Sequence, residues 1–350
     1  GILLHYAMKA NPMPAVVQHL ASIVDGIDVA SAGEMKVALD TMLAPGKISF
    51  AGPGKRSSEL RRAVAAGVTI NVESEQELRV IVELGECLGF TPSVANRVNP
   101  DFELKSSGMK MGGGAKPFGI DVERVPNLLR LLVSLKLNFV GLHIFSGSQN
   151  LNSAAIQEAQ FKSLQLGIRL TEHISTPMRL LNIGGGFGVP YFPGEERLDL
   201  AVIGENMRPM IQAFRKQLPE TLVAIELGRY MVAEAGIYVC RILERKESRG
   251  KIFLITDGGM HHHLAASGNL GQVIRKNFPV IIGNRVQDTE KEMASIVGPL
   301  CTPLDLLADE MMLPKAVVGD LVVVLQSGAY GLSVSPTAFL NHPLPEEILV

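Results

Sequence analysis

Eight short β-rich apolar runs recur along the first part of this chain, and the segments between them carry apolar residues at helical spacing. The runs are Ile2–Tyr6, Gly26–Val29, Lys47–Phe50, Val68–Val72, Val94–Val98, Phe139–Ile144, Leu180–Ile183 and Val223–Glu226. Intervening segments such as Gly33–Leu39 and Ser57–Ala66 open on Ser or Gly and then follow a 3.6-residue period. Strand–helix alternation repeated eight times predicts an α/β fold of the TIM-like (β/α)8 barrel type. Such barrels gather their chemistry at the carboxyl ends of the strands and often hold phosphate in the loops after strands seven and eight. From about Gly236 the pattern changes. Ile237–Leu243, Ile252–Ile255, Phe278–Ile282, Ala294–Val297 and Leu321–Leu325 are apolar runs separated by turn residues with little helical spacing. They predict a β-rich second domain over 236–350 behind a barrel over 1–235. The chain opens almost directly in a strand, as a fragment lacking a preceding strand and helix would.

Residues with chemistry stand where the runs end. Lys9 follows the first run, Ser146-Gly147-Ser148 the sixth and Gly184-Gly185-Gly186 the seventh, and Glu226-Leu227-Gly228-Arg229 closes the eighth. A lysine buried at a strand end loses hydration, and its amine is then free to form a Schiff base. Glycine loops admit an anion close to backbone N–H groups. One amine, two glycine loops and one carboxylate describe a site for a phosphorylated carbonyl cofactor. Each residue also has a plainer reading. The glycine loop could be a tight βα turn, and Glu226 a structural carboxylate paired with Arg229. Cys301 within Gly298–Thr302 could be a small buried hydrophobe, and Tyr330 within Ser327–Gly331 plain core. His261-His262-His263 has no acid or cysteine at zinc-like spacing, so no metal site is expected. The acidic run Glu73–Glu77 reads as a solvated helix start.

Composition narrows the function classes. The 350 residues suit one large domain plus a smaller one, and 47% hydrophobic residues with a mean hydropathy of +0.22 supply a large core. A net charge of -2 gives no electrostatic reason for nucleic acid or an anionic membrane as partner, and 5% aromatics without tryptophan argue against base-stacking surfaces. Three cysteines, Cys87, Cys240 and Cys301, suggest a reducing compartment rather than a disulfide framework. No uncharged apolar run reaches membrane-spanning length and no signal peptide is visible, so a cytoplasmic soluble protein is expected.

Taken in order, the motifs resemble those of the fold-type III pyridoxal-phosphate decarboxylases, the ornithine, arginine and diaminopimelate decarboxylase group with an alanine racemase-like barrel. They are Tyr-Ala-Met-Lys-Ala-Asn at 6–11, Asp28-Val-Ala-Ser-Ala-Gly-Glu34, Gly147-Ser148-Gln149, Gly184-Gly-Gly-Phe187, Glu226-Leu-Gly-Arg229, Gly298-Pro-Leu-Cys301 and Gly328-Ala-Tyr330. The resemblance implies pyridoxal 5'-phosphate held by Lys9 as a Schiff base, and amino-acid decarboxylation through a quinonoid. It places Asp28 and Arg97 near the ring and phenolic oxygen. Gly184, Gly185, Gly186, Ser148, Gly228, Arg229 and Tyr330 fall around the phosphate, and Glu226 at the pyridine nitrogen. It further implies a homodimer with shared active sites, in which Cys301 comes from the second subunit.

The chain departs from the group at three points. The histidine that stacks on the ring falls at Phe145, with His143 two residues earlier. The acid after the cysteine, which contacts a distal amine, is Thr302. The Arg-Pro segment that reads the distal carboxylate of diaminopimelate is Gly259-Met-His-His-His-Leu-Ala265. Asp257 remains as an amine contact. Ornithine and diaminopimelate are therefore not the expected substrates. The His-His-His-Leu-Ala-Ala segment resembles a branch found with exopolysaccharide and exosortase systems, and with decarboxylases of carrier-bound amino acids. A racemase or epimerase on the same fold, a non-catalytic pyridoxal-phosphate carrier and a cofactor-free Schiff-base aldolase are the competing readings.

Overall fold

The structure, a computed structural model, describes residues 1–350 apart from Ser106, Ser107, Ser175, Gly271 and Val273 and the side chains of Lys110 and Val133. The chain divides into two compact units, one of Gly1–Gly188 with Arg197–Gly228, the other of Val189–Glu196 with Arg229–Val350.

In the first unit the eight apolar runs are eight parallel strands: β1 (Leu3–Ala7), β2 (Gly26–Val29), β3 (Ile48–Phe50), β4 (Thr69–Val72), β5 (Ser93–Asn99), β6 (Asn138–Ile144), β7 (Leu180–Gly185) and β8 (Leu222–Leu227). The circle closes where β8 pairs with β1, Leu3 opposite Ala224 and Tyr6 opposite Leu227. On the far side β4 pairs with β5, Asn71 opposite Ala95. Every residue of β2, β3 and β4 is buried, because a parallel strand in a barrel is covered on both faces.

The helices between the strands begin and end on local signals. Ser31 caps the helix Ala32–Leu39 and Ser74 caps the helix Glu75–Leu88, each hydroxyl accepting from the N–H three residues on at 3.1 and 3.0 Å. The helices Ser57–Ala66 and Glu75–Leu88 end at Gly67 and Gly89 with φ of 77° and 71°, the left-handed conformation that favours glycine.

The second unit holds a six-stranded mixed sheet of Tyr238–Ser248, Lys251–Thr256, Val280–Ile282, Lys291–Val297, Leu306–Pro314 and Leu321–Val324. Leu306–Pro314 has no counterpart among the expected runs. Its middle, Asp309-Glu310, is exposed and breaks the apolar signal, yet the strand pairs antiparallel with Lys291–Val297. Among the described residues no helix is long and apolar enough to cross a membrane.

Phe50 on β3 is fully buried and carries the Lys55 ammonium 5.6 Å from its ring centroid. Phe50→Ala is expected to cost about 4 kcal/mol through lost burial and the cavity left behind. A urea unfolding curve with a lower midpoint and an unchanged slope would show it.

Candidate active site

The carboxyl end of β1 is turned by the sequence Tyr-Ala-Met-Lys-Ala-Asn. Tyr6, wholly buried, donates its hydroxyl to the carbonyl of Asn11 at 2.9 Å, and the Asn11 N–H returns to the Met8 carbonyl at 3.0 Å. These bonds close a single 3-10 turn, Met8–Ala10, that buries Met8 and Ala10 and leaves Lys9 exposed between them. Lys9 is thus not the buried amine expected from its strand-end position. Its Nζ stands 5.5 Å from the centroid of the Phe145 ring.

Opposite it, Glu226 is buried near the end of β8, and its Oε2 lies 3.0 Å from Nε2 of His143 on β6. Burial alone would push this carboxyl up. The His143 hydrogen bond and charge, with the charges of Lys9 and Arg97, overcome that and hold it down to about 2. Glu226 is therefore a fixed anion whose partner is His143, not Arg229. Three of the expected residues, Lys9, Arg97 and His143, thus act on a fourth, Glu226.

Arg97 on β5 is buried, and its guanidinium donates to Glu73 Oε1 at 2.9 Å while stacking 5.2 Å from the Phe118 centroid. Glu73 also accepts from the N–H groups of Gly52 at 2.6 Å and Gly119 at 3.0 Å. The acidic run Glu73–Glu77 does open a helix, but Glu73 and Glu77 are not solvated as expected. Glu73 is buried behind Arg97, and Glu77 pairs with Lys55 at 2.8 Å. Pattern reading missed this because charges at a helix start are usually surface features, and only the barrel shows a buried arginine needing an anion.

The glycine loop ends β7. Gly184 and Gly186 have φ of 69° and 82°, and Gly186 accepts from the Asn150 N–H at 2.9 Å. A Cβ on Gly184 would stand 2.8 Å from the Ile144 carbonyl, on Gly185 2.1 Å from that of Glu226, and on Gly186 2.7 Å from that of Gly147. The loop after β6 and the loop after β7 therefore lie against one another, with half-buried Phe145 and Ser148 on the first. Gly228 permits a similar approach after β8, where a Cβ would lie 2.9 Å from the Ala7 carbonyl beside the Lys9 turn. An amine, a fixed carboxylate, a held guanidinium and a cradle that side chains would fill fit pyridoxal phosphate in charge and kind.

Asp28 on β2 is buried and bonded within the barrel. It accepts from Ser49 Oγ, which in turn takes a hydrogen bond from Asn71 Nδ2 at 3.2 Å, and its Oδ2 lies 3.3 Å from His5 Nδ1. His5 escaped notice in the sequence because a lone histidine in an apolar run is most often core.

The remaining expected residues belong to the second unit. Arg229 donates to the Tyr191 hydroxyl at 3.2 Å and stacks 4.5 Å from the Tyr330 centroid, and Tyr330 takes a positive φ of 52°. Tyr330 is thus part of a cation–aromatic cluster rather than plain core. Cys301 is exposed, which removes the small-hydrophobe alternative. Its loop is tied by Asp305, a buried residue not anticipated, whose carboxylate accepts from Leu300 N–H at 2.8 Å and Met260 N–H at 2.6 Å. Thr302 spends its hydroxyl on the Leu304 N–H at 3.3 Å, and exposed Asp257 accepts from the Arg241 N–H at 2.7 Å. His261 and His263 are buried, and desolvation pushes both down to about 4.

Because Glu226 is more acidic in the fold than the ordinary 4.5, it adds stability above that value that is lost as pH falls toward 2. Glu226→Gln is expected to flatten that part of the acid dependence, seen as a smaller drop in Tm between pH 5 and 3 than in the parent.

The pyridoxal-binding-domain model of the pyridoxal-dependent decarboxylases matches residues 1–233. The chain is 43% identical over 355 residues to the L-glutamyl-(BtrI acyl-carrier protein) decarboxylase of Niallia circulans, spanning 100% of this chain and 83% of the relative. It is 31% identical to the diaminopimelate decarboxylase of Aquifex aeolicus over 99% of this chain and 80% of that one. The crystal structure of Helicobacter pylori diaminopimelate decarboxylase complexed with L-lysine superimposes with a TM-score of 0.84 at 27% identity, covering 97% of this chain and 82% of that one. With a family model matched over about two thirds of its length and a 43% identical relative aligned along all of it, the chain belongs to the pyridoxal-dependent decarboxylases.

Proposed function

We propose that this decarboxylase acts on an amino acid held through its distal carboxyl group on a carrier protein, a glutamyl thioester or close analogue, and that it does so as a homodimer. The observation that carries the reading is the 43% identity, over the whole chain, to a decarboxylase of a carrier-bound glutamyl group. Two features of the chain support it. Thr302 stands where relatives with basic substrates carry an acid, and its hydroxyl is taken by its own loop. The segment Gly259–Ala265 stands where diaminopimelate enzymes carry an arginine, and His261 and His263 within it are neutral at pH 7. A distal ammonium buried without a partner would cost several kcal/mol. A tethered acyl chain has no distal charge to satisfy.

When bound, pyridoxal phosphate supplies a protonated pyridine ring that accepts the electron pair left at Cα as carbon dioxide departs. The chain's residues serve that chemistry. Lys9 offers its amine from an exposed turn where substrate has access. Glu226, kept ionised by His143, holds the proton on the pyridine nitrogen. The glycine loop at 184–186 with Ser148, Arg229 and Tyr330 is proposed to take the phosphate. Arg97, fixed by Glu73, would serve the phenolic oxygen, and Phe145 would cover the ring in place of a histidine. Cys301, supplied by the partner subunit, returns a proton to Cα. An anion at the nitrogen favours loss of carbon dioxide over racemisation, because a protonated ring is the stronger electron acceptor.

The test is carbon dioxide release by the cofactor-loaded protein from glutamyl carrier-protein thioester, free glutamate, ornithine and diaminopimelate. The thioester is expected to be preferred on kcat/KM over the free diamino acids by on the order of 100-fold or more, and Lys9→Ala should abolish turnover. Release from a free diamino acid alone would overturn the substrate assignment. Exchange of the Cα proton without carbon dioxide would favour the racemase.

A further inference from the structure

Among the described residues, the barrel interior also holds a buried titratable group to which no role has yet been given, His5. It stands four residues before Lys9 on β1, in an apolar strand. The strand registers place it opposite Glu226 on β8 and opposite Gly26 on β2. Neighbouring side chains at matched positions of parallel strands point to the same face, so His5 shares the inner face with Glu226. Asp28, two residues after Gly26, lies on that face as well, and its Oδ2 is 3.3 Å from His5 Nδ1. Both partners are buried, at 5% and 6% exposure. The contact is one of charge rather than of an aligned hydrogen bond, since neither atom has a hydrogen-bond partner among the described residues. The position is also shaped for the ring. A Cβ at Gly26 would lie 2.7 Å from both His5 Nε2 and the Lys47 carbonyl, so glycine there leaves room for the imidazole against the neighbouring backbone.

We propose that His5 is a positioning residue of the active site: its imidazolium, seated between Asp28 and Glu226, balances both carboxylates inside the barrel and so completes the charge arrangement that keeps Glu226 an anion toward the cofactor's pyridine nitrogen. Glu226 then has an imidazole on either side, His143 by hydrogen bond and His5 by charge. Without His5, Asp28 and Glu226 would be two buried anions sharing one interior, an arrangement that drives one of them to take up a proton. The chain Glu226, His5, Asp28, Ser49, Asn71 continues the network away from the site across five neighbouring strands. The titratable groups that face His5 are Asp28 on β2, Asp25 in the turn before it and Glu226 on β8. Burial works against the imidazolium, but these three carboxylates outweigh it and raise His5 above its ordinary 6.5.

The role is independent of which amino acid the enzyme takes, so its test needs no substrate. In histidine-labelled, cofactor-loaded protein the His5 ring resonance, assigned by its loss in His5→Gln, is expected to titrate above 6.5. It should move down in Asp28→Asn. The acid-side change in the cofactor's visible band should occur about one pH unit higher in His5→Gln than in the parent, because Glu226 is then easier to protonate. His5→Asn serves if the glutamine variant does not fold. Stability gives an independent readout. A raised histidine adds stability below 6.5 that is lost as pH climbs through its folded value. The parent should therefore lose Tm over that rise, and His5→Gln should not. A His5 resonance titrating at or below 6.5, or acid transitions that coincide in parent and variant, would overturn the assignment.

Discussion

A carboxylate inside a barrel has lost its water, and it stays ionised only if the protein returns the charge. Glu226 meets that condition through His143 at 3.0 Å, with the charges of Lys9 and Arg97 adding to it. Much else follows from this requirement. Arg97 is itself buried, so it needs Glu73, and Glu73 needs the N–H groups of Gly52 and Gly119. The barrel end is a set of mutually dependent charges. Removing one leaves its neighbour buried and unpaired, which costs more than the pair itself contributes.

Against this rigid charge set stand two kinds of open structure. The Lys9 turn leaves its amine exposed although the residues on either side are buried, and the glycine loop after β7 presses backbone against backbone where side chains would collide. Fixed charges and closely packed glycines at neighbouring strand ends leave this end of the barrel little room to rearrange. This arrangement keeps binding energy from being spent on ordering the site. The second unit repeats the logic on a smaller scale. Asp305 ties the Cys301 loop to the Gly258–Met260 turn through two backbone N–H groups, so an exposed thiol is carried on a fixed loop.

How much of this was legible depended on range. The eight strands were visible because burial makes most of each one apolar, and their number and order suffice for a closed parallel barrel. Lys9, Glu226 and the glycines were visible because strand ends are where such barrels place chemistry. Leu306–Pro314 was hidden by exposed acids in its middle, since an edge strand need satisfy only one face. Glu73 was misread, because a helix-start acid looks the same in sequence whether its carboxylate meets water or a buried arginine.

By itself the sequence determined the barrel, the β-rich second unit, the family and the residue types at the strand ends, because these rest on local period and on spacing along the chain. Only the tertiary structure decided the partners. It matched His143 and not Arg229 to Glu226, set His5 beside Asp28, drew Glu73 inside and left Lys9 outside. A charge's partner is chosen by distance across the strands, and residues such as His143 and Glu226, far apart in the chain, meet only when β6 and β8 line up on either side of β7.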